Sequence, residues 1–169
     1  MTAGSGAGGE DPLRSGYHRV RILCEDRAGR MLLLKWRDPA DGKVFYEPPG
    51  GGIEPGESPP EAALRELREE TGLGGPISSQ FVAVERRCTW NGAYRHELEP
   101  FYLACYDEPV VAPAALTASE SATLIGWAWA ASVAELDAPL DPSNAFEVLA
   151  ELRRLEGGQE RGATMQNVV

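Results

Sequence analysis

Glu66, Glu69 and Glu70 crowd one short stretch of a 169-residue chain, and that stretch reads as a helix. At roughly 100° per residue they share an arc of about 100°, while Ala63, Leu64, Leu67 and Thr71 take much of the remaining circumference. The helix therefore has an apolar face and a concentrated acidic edge. Like charges at i, i+3 and i+4 cost a few tenths of a kcal/mol per pair when solvated and more when crowded. A hard divalent cation offsets that cost, because carboxylate oxygens are the ligands Mg²⁺ prefers. A merely solvated acidic face is the alternative that the helix alone leaves open.

The elements around these carboxylates are well signalled. Ser58 is a good N-cap, Pro59 suits the first helical position, and Glu61 completes a capping box. The helix is expected to run to about Thr71, with Gly72 as its C′ residue. Ahead of it, Glu47-Pro48-Pro49-Gly50-Gly51-Gly52 predicts an irregular loop, since proline removes donors and glycine permits unusual dihedrals.

The rest of the chain supplies strands. Val20, Ile22 and Cys24 alternate with other residues, and Met31–Leu34 is a short apolar run of the kind buried on both faces. A turn at residues 25–29 suggests that these two strands form a hairpin. Further strands are expected at Val44–Tyr46, from Phe81 towards Cys88, at Phe101–Tyr106 and at Leu124–Trp129, with a tight turn at Asn91-Gly92. Residues 109–121 read as a Pro- and Ala-rich connection, Ser132–Leu136 as a helical turn, and Asn144–Glu156 as a last helix ended by Gly157-Gly158. Composition divides the chain into an N-terminal tail (1–16), one domain (17–156) and a C-terminal tail (157–169). The predicted class is α/β, a mixed sheet between helices.

Composition narrows the partners. A formal net charge of -10 disfavours long nucleic acid and anionic membrane surfaces. It leaves room for a phosphate-bearing small molecule, because a bound metal reverses the local sign of charge. No apolar run reaches membrane-spanning length, and no secretory h-region opens the chain. Cys24, Cys88 and Cys105 form no C-x-x-C pair. Cys24 and Cys105 lie in apolar runs and read as small buried hydrophobes, which suits a reducing, cytoplasmic setting.

Residues 51–73 match G-x5-E-x7-R-E-U-x-E-E-x-G-U, with U a bulky aliphatic residue, at every specified position: Gly51, Glu57, Arg65-Glu66-Leu67, Glu69-Glu70 and Gly72-Leu73. The chain thus resembles the Nudix hydrolase family, and its strand order resembles the Nudix α/β/α sandwich. The resemblance implies binding of Mg²⁺ or Mn²⁺ by Glu66, Glu69 and Glu70, with a backbone carbonyl near Gly51 as a further ligand. It implies that Arg65 pairs with Glu57 to hold loop against helix, while Gly72 caps. It implies hydrolysis of a pyrophosphate bond in a nucleoside diphosphate linked to another moiety, with Glu69 the first choice for a base and Glu66 beside it. Family precedent adds a carboxylate before the Trp127 strand, for which Glu120 ranks first. Dimers are common in the family.

Other residues are weaker candidates. Glu97 and Glu99 precede the Phe101 strand, and His96 stands beside them. Surface charge is the simpler reading of all three, as it is of Arg21, Lys35 and Arg37. Trp36, Phe45, Tyr46, Tyr94 and Trp129 could stack on a base, but aromatics at such spacing are usually core. Two alternatives to hydrolysis belong to the same fold: a non-catalytic nucleotide sensor, which would be expected to lack box glutamates, and an isoprenoid-diphosphate isomerase, for which Cys88 would be the only cysteine in polar surroundings.

Overall fold

The structure, a computed structural model, describes residues 16–165. The expected N-terminal tail lies outside the described residues apart from Gly16. Seven strands form one mixed sheet: β1 (Arg19–Glu25), β2 (Met31–Arg37), β3 (Val44–Glu47), β4 (Gly50–Gly52), β5 (Val82–Trp90), β6 (Ala93–Cys105) and β7 (Leu124–Ala130). The helices are α1 (Pro59–Thr71), α2 (Ala118–Thr123) and α3 (Ala145–Met165), with a 3-10 turn at Val133–Glu135.

The sheet runs β3-β2-β1-β6-β5, with β4 added to β1 and β7 to β2. β1 and β6 are parallel, whereas the other strand pairs are antiparallel. The expected β1–β2 hairpin closes on one pair, Glu25 opposite Met31. The strands then part, because β4 takes the start of β1 on that edge, through Arg19 to Arg21.

Strand alternation sorts the core into two layers. Val20, Ile22, Leu32 and Tyr102 pack with Ala62, Ala63 and Leu67 of α1. Leu23, Leu33, Phe101 and Leu103 pack with Val148, Leu149 and Leu152 of α3. Met31–Leu34 is buried on both faces, as its composition implies. The result is the predicted helix–sheet–helix sandwich. No helix among the described residues is long and apolar enough to cross a membrane.

Several expectations change. Gly50–Gly52 is a strand rather than irregular loop. Gly50 explains why: its φ is +148°, and a Cβ there would collide with the Val20 carbonyl, so only glycine lets the chain lie this close to β1. β6 starts at Ala93, so Glu97 and Glu99 lie within the strand rather than before it. The polar alternation of residues 93–100 concealed that half. α3 continues through Gly157 and Gly158, neither of which takes the left-handed conformation that would end it. A helical glycine costs about 1 kcal/mol without breaking the helix. Of the expected C-terminal tail, residues 166–169 lie outside the described residues. Cys105 is exposed rather than buried, whereas Cys24 is buried.

α1 ends as its sequence implies. Gly72 adopts φ +72° and its N–H donates to Arg68 O. A Cβ at Gly72 would collide with Ala112 O. Gly72→Ala should therefore lower stability by about 1–3 kcal/mol, read as a fall in Tm.

Candidate active site

Two reciprocal hydrogen bonds between Ser58 and Glu61 start α1, and the helix holds Glu66, Glu69 and Glu70 opposite β4. The loop after β4 is tied down by Arg65. Its Nε and Nη2 donate to the two Glu57 oxygens at 2.8 and 3.0 Å, and Nη2 also donates to Gly52 O at 2.8 Å. Nη1 donates to Glu66 Oε1 at 2.9 Å and Glu69 Oε2 at 3.2 Å. The Arg65 hydrogen bonds hold the Glu57 carboxyl below the usual range. Arg65→Lys keeps the charge but not the planar fork. It should weaken Mn²⁺ binding about tenfold or more by freeing the supports of Glu66, which titration calorimetry would detect.

Glu66 and Glu70 are buried. Glu70 Oε2 accepts from Gly50 N at 2.9 Å. Gly51 lies so close to Glu66 that a Cβ would overlap its carboxylate. Burial pushes both carboxyls up; Glu120 and Glu69 add repulsion at Glu66, and Glu66 and Glu47 add it at Glu70. Arg65 and, for Glu70, the Gly50 N–H and Arg21 only partly offset this.

The third carboxylate comes from α2. Glu120 lies in this short helix rather than in a loop, and its Oε2 accepts from Thr117 N at 2.7 Å in a second capping box. Oxygens of Glu66, Glu70 and Glu120 all lie within 4.8 Å of one another. Three hard oxygen donors, two buried and raised in pKa, fit a divalent cation. Glu69 stands outside this trio, partly exposed and bound to Arg65.

The segment that delivers Glu120 is docked on α1. Ala112 N donates to Thr71 O at 2.8 Å, and Ala114 N and Ala115 N donate to Glu69 O at 3.0 and 3.1 Å. The last carbonyls of the helix thereby find partners.

Beside the glutamates lies a buried ion network. Arg21, read as a solvated charge, is buried. Its Nε donates to Glu99 Oε2 at 2.9 Å, and Nη1 lies 3.0 Å from Glu47 and 3.2 Å from Pro48 O. Arg86 reaches Glu99 at 3.3 Å, Glu47 at 3.3 Å and Asp141 at 2.8 Å. Glu99 is thus no surface charge. Burial pushes its carboxyl up, but Arg21 and Arg86 outweigh this and hold it low. Glu97 is half-buried in β6, and exposed His96 pairs with Glu85 at 2.6 Å. Lys35 binds Asp137 at 2.8 Å, and Arg37 is exposed.

A cleft of about 680 Å³ is lined by residues including Glu70, Glu120, Arg19, Arg21, Phe45 and Trp90. Of the aromatic candidates, Trp36 and Phe45 line it; Tyr46 and Trp129 join the cores, and Tyr94 is exposed. Trp90, Arg95 and Cys88 also line it and were not among the candidate stacking or phosphate-binding residues. Their signal is phase. Val82 and Val84 face the α3 core, so Arg86, Cys88 and Trp90 point the same way.

A NUDIX domain matches residues 18–152. The chain belongs to the NUDIX family. The RNA pyrophosphohydrolase of Azorhizobium caulinodans is 29% identical over 154 residues, covering 80% of this chain and 90% of that one. The ADP-sugar pyrophosphatase of Mus musculus is 48% identical over 54 residues, 32% of this chain and 25% of its own. The putative 8-oxo-dGTP diphosphatase of Bacillus subtilis is 34% identical over 65 residues, 38% and 41%. These last two matches span less than half of each relative's length. The solution structure of the E. coli ORF135 protein shares the Nudix fold, with a TM-score of 0.51 and 23% identity over 85% of this chain and 96% of that one.

Proposed function

We propose that this protein is a divalent-metal-dependent pyrophosphohydrolase that cuts a nucleoside diphosphate linked to a second moiety. The convergence of Glu66, Glu70 and Glu120 beside the cleft carries this reading. Mg²⁺ or Mn²⁺ held there would neutralise phosphate oxygens and lower the pKa of an attacking water. The Gly51 backbone packs against the Glu66 carboxylate, and its carbonyl is the further ligand we assign. Glu69, partly exposed and held by the same Arg65 nitrogen as Glu66, is the residue we assign to accept a proton from water. Arg65 fixes its direction, and Arg21 holds the loop that presents Gly50 N–H to Glu70. Names of the relatives are consistent with pyrophosphate-bond hydrolysis.

The alternatives have less support. A sensor that has lost catalysis has no reason to keep the complete trio. An isomerase needs a reactive cysteine, whereas burial pushes the Cys88 thiol up, away from thiolate.

Hydrolysis of nucleoside triphosphates, nucleotide sugars, dinucleotides and 5′-triphosphate oligonucleotides with Mg²⁺, followed by chromatography of both phosphorylated products, tests the reading. No turnover with retained nucleotide binding would defeat it. Glu69→Gln should reduce kcat about 10²-fold or more with Mn²⁺ affinity little changed. Because burial lifts Glu66 and lifts Glu70 further, protons compete with the metal above the ordinary carboxylate range. Apparent Mn²⁺ affinity should fall as pH drops from neutral, with proton release visible by calorimetry in buffers of different ionisation enthalpy.

A further inference from the structure

The sheet face that buries the α3 core at one end of β1, β5 and β6 lines the cleft at the other. Along it, Val84 lies opposite Glu99, Arg86 opposite Glu97, and Cys88 opposite Arg95. Arg21 binds Glu99 and also contacts Gly50 O, while Glu70 accepts from Gly50 N, so the Glu99 position marks the carboxylate end. Four residues further along both strands, about 13 Å at strand rise, lie Cys88 and Arg95, with Trp90 two residues beyond Cys88. Trp90 and Phe45 are half-buried, with ring centroids 5.7 Å apart and planes at 79°. Trp36 packs edge-on to Trp90 at 6.3 Å. Arg95 is half-buried, sits diagonally across the ladder from Trp90, and makes no ion pair among the described residues.

Half-buried rings lining the cleft suit a flat, stacked base, and a guanidinium left without a carboxylate has N–H groups free to donate to that base's edge. Glu70 and Glu120 line the same cleft as Trp90, Phe45 and Arg95, so one substrate can reach both ends. We infer that Trp90, Phe45 and Arg95 form a nucleobase subsite that stacks the base of the substrate and reads an edge carrying two acceptors. Guanidinium N–H groups only donate. The O6/N7 edge of guanine accepts both, whereas adenine places its N6 donor there. This deepens the hydrolase reading, since it names the nucleoside that the carboxylate end would act on.

The test is binding rather than turnover, so it stands apart from the hydrolase assay. GMP, AMP and inorganic pyrophosphate are titrated calorimetrically into wild type, Arg95→Gln, Trp90→Leu and Trp90→Phe with Mg²⁺ present. Wild type should bind GMP about tenfold or more tighter than AMP. Arg95→Gln should erase that ratio while pyrophosphate affinity holds. Trp90→Leu should weaken both nucleotides, and Trp90→Phe, which restores a ring, should recover most of the loss. Equal weakening of GMP and pyrophosphate in Arg95→Gln would make Arg95 a phosphate ligand and overturn the subsite. Equal GMP and AMP binding by wild type would overturn the edge reading, as unchanged GMP affinity in Trp90→Leu would the stacking. Should Trp90→Leu fail to fold, Arg95→Gln, which loses no ion pair among the described residues, still decides the case.

Discussion

Glu70→Gln is expected to abolish metal binding and turnover while raising the Tm of the metal-free protein. The two effects share one cause. Glu70 is buried, and its charged form is disfavoured first by desolvation and then by Glu66 and Glu47. A neutral amide of the same shape removes that penalty and can still accept the Gly50 N–H. The same charge is what attracts the cation. Loss of one carboxylate from the trio should weaken Mn²⁺ binding by more than about 100-fold, with a comparable or larger loss in kcat/KM. Differential scanning fluorimetry with and without Mn²⁺ checks both halves. Wild type should gain Tm on adding metal, and the variant should start higher by a few degrees and gain nothing. A metal-dependent Tm rise equal to that of wild type would remove Glu70 from the ligand set.

Glu99→Gln should give the largest loss of stability. Glu99 is the carboxylate shared by Arg21 and Arg86, and all three side chains are almost wholly enclosed. Neutralising it leaves two guanidiniums buried with Glu47 as their common remaining partner and Asp141 on Arg86 alone. Breaking one partner out of a buried ion pair costs about 3–5 kcal/mol, which at this size lowers Tm by roughly 10 °C or more. The pH dependence has a definite sign. The folded pKa of Glu99 is depressed, so its contribution is complete above the ordinary carboxylate pKa near 4.3 and is lost as pH falls through the folded value. The deficit of the variant should be full at neutral pH and shrink on acidification below about 4. A deficit that stayed constant down to low pH would mean that the cost is one of shape rather than charge.

The same network shows where sequence reasoning stops. α1 was legible to the residue because its signals are local: Ser58 and Glu61 start it, and Gly72 ends it in the left-handed conformation. Arg65 and Glu69 stand four apart on that helix, so their contact follows from helical geometry, whereas the hold of Arg65 on Glu57 in the loop was implied by the Nudix resemblance. Arg21, Arg86 and Glu99 do not lie on one element, and each taken alone resembles a solvated strand charge. Their phase could have revealed them. Arg21 is two residues from Leu23, Arg86 two from Val84, and Glu99 two from Phe101, and all three apolar partners are core. Charges in step with core residues along a strand face inward, and inward charges must find one another. Glu120 had a local signal as well, since Thr117-x-x-Glu120 is a capping box that announces α2. Its closeness to Glu66 and Glu70 is long-range and depends on how residues 112–115 settle on α1.

That docking sets where the chain can change length. Ala112, Ala114 and Ala115 are hydrogen-bonded to the end of α1, and Thr117 already caps the helix that carries Glu120. Only Leu116 separates the last anchor from the cap. An inserted residue there would shift Glu120 by a full backbone step and pull it from its partners. The stretch from Asp107 to Val111 precedes the first anchor and contains no helix or strand. Loops of this kind absorb insertions at little cost in free energy. Relatives, and engineered versions of this chain, should vary freely in length before Ala112 and hardly at all between Ala115 and Thr117.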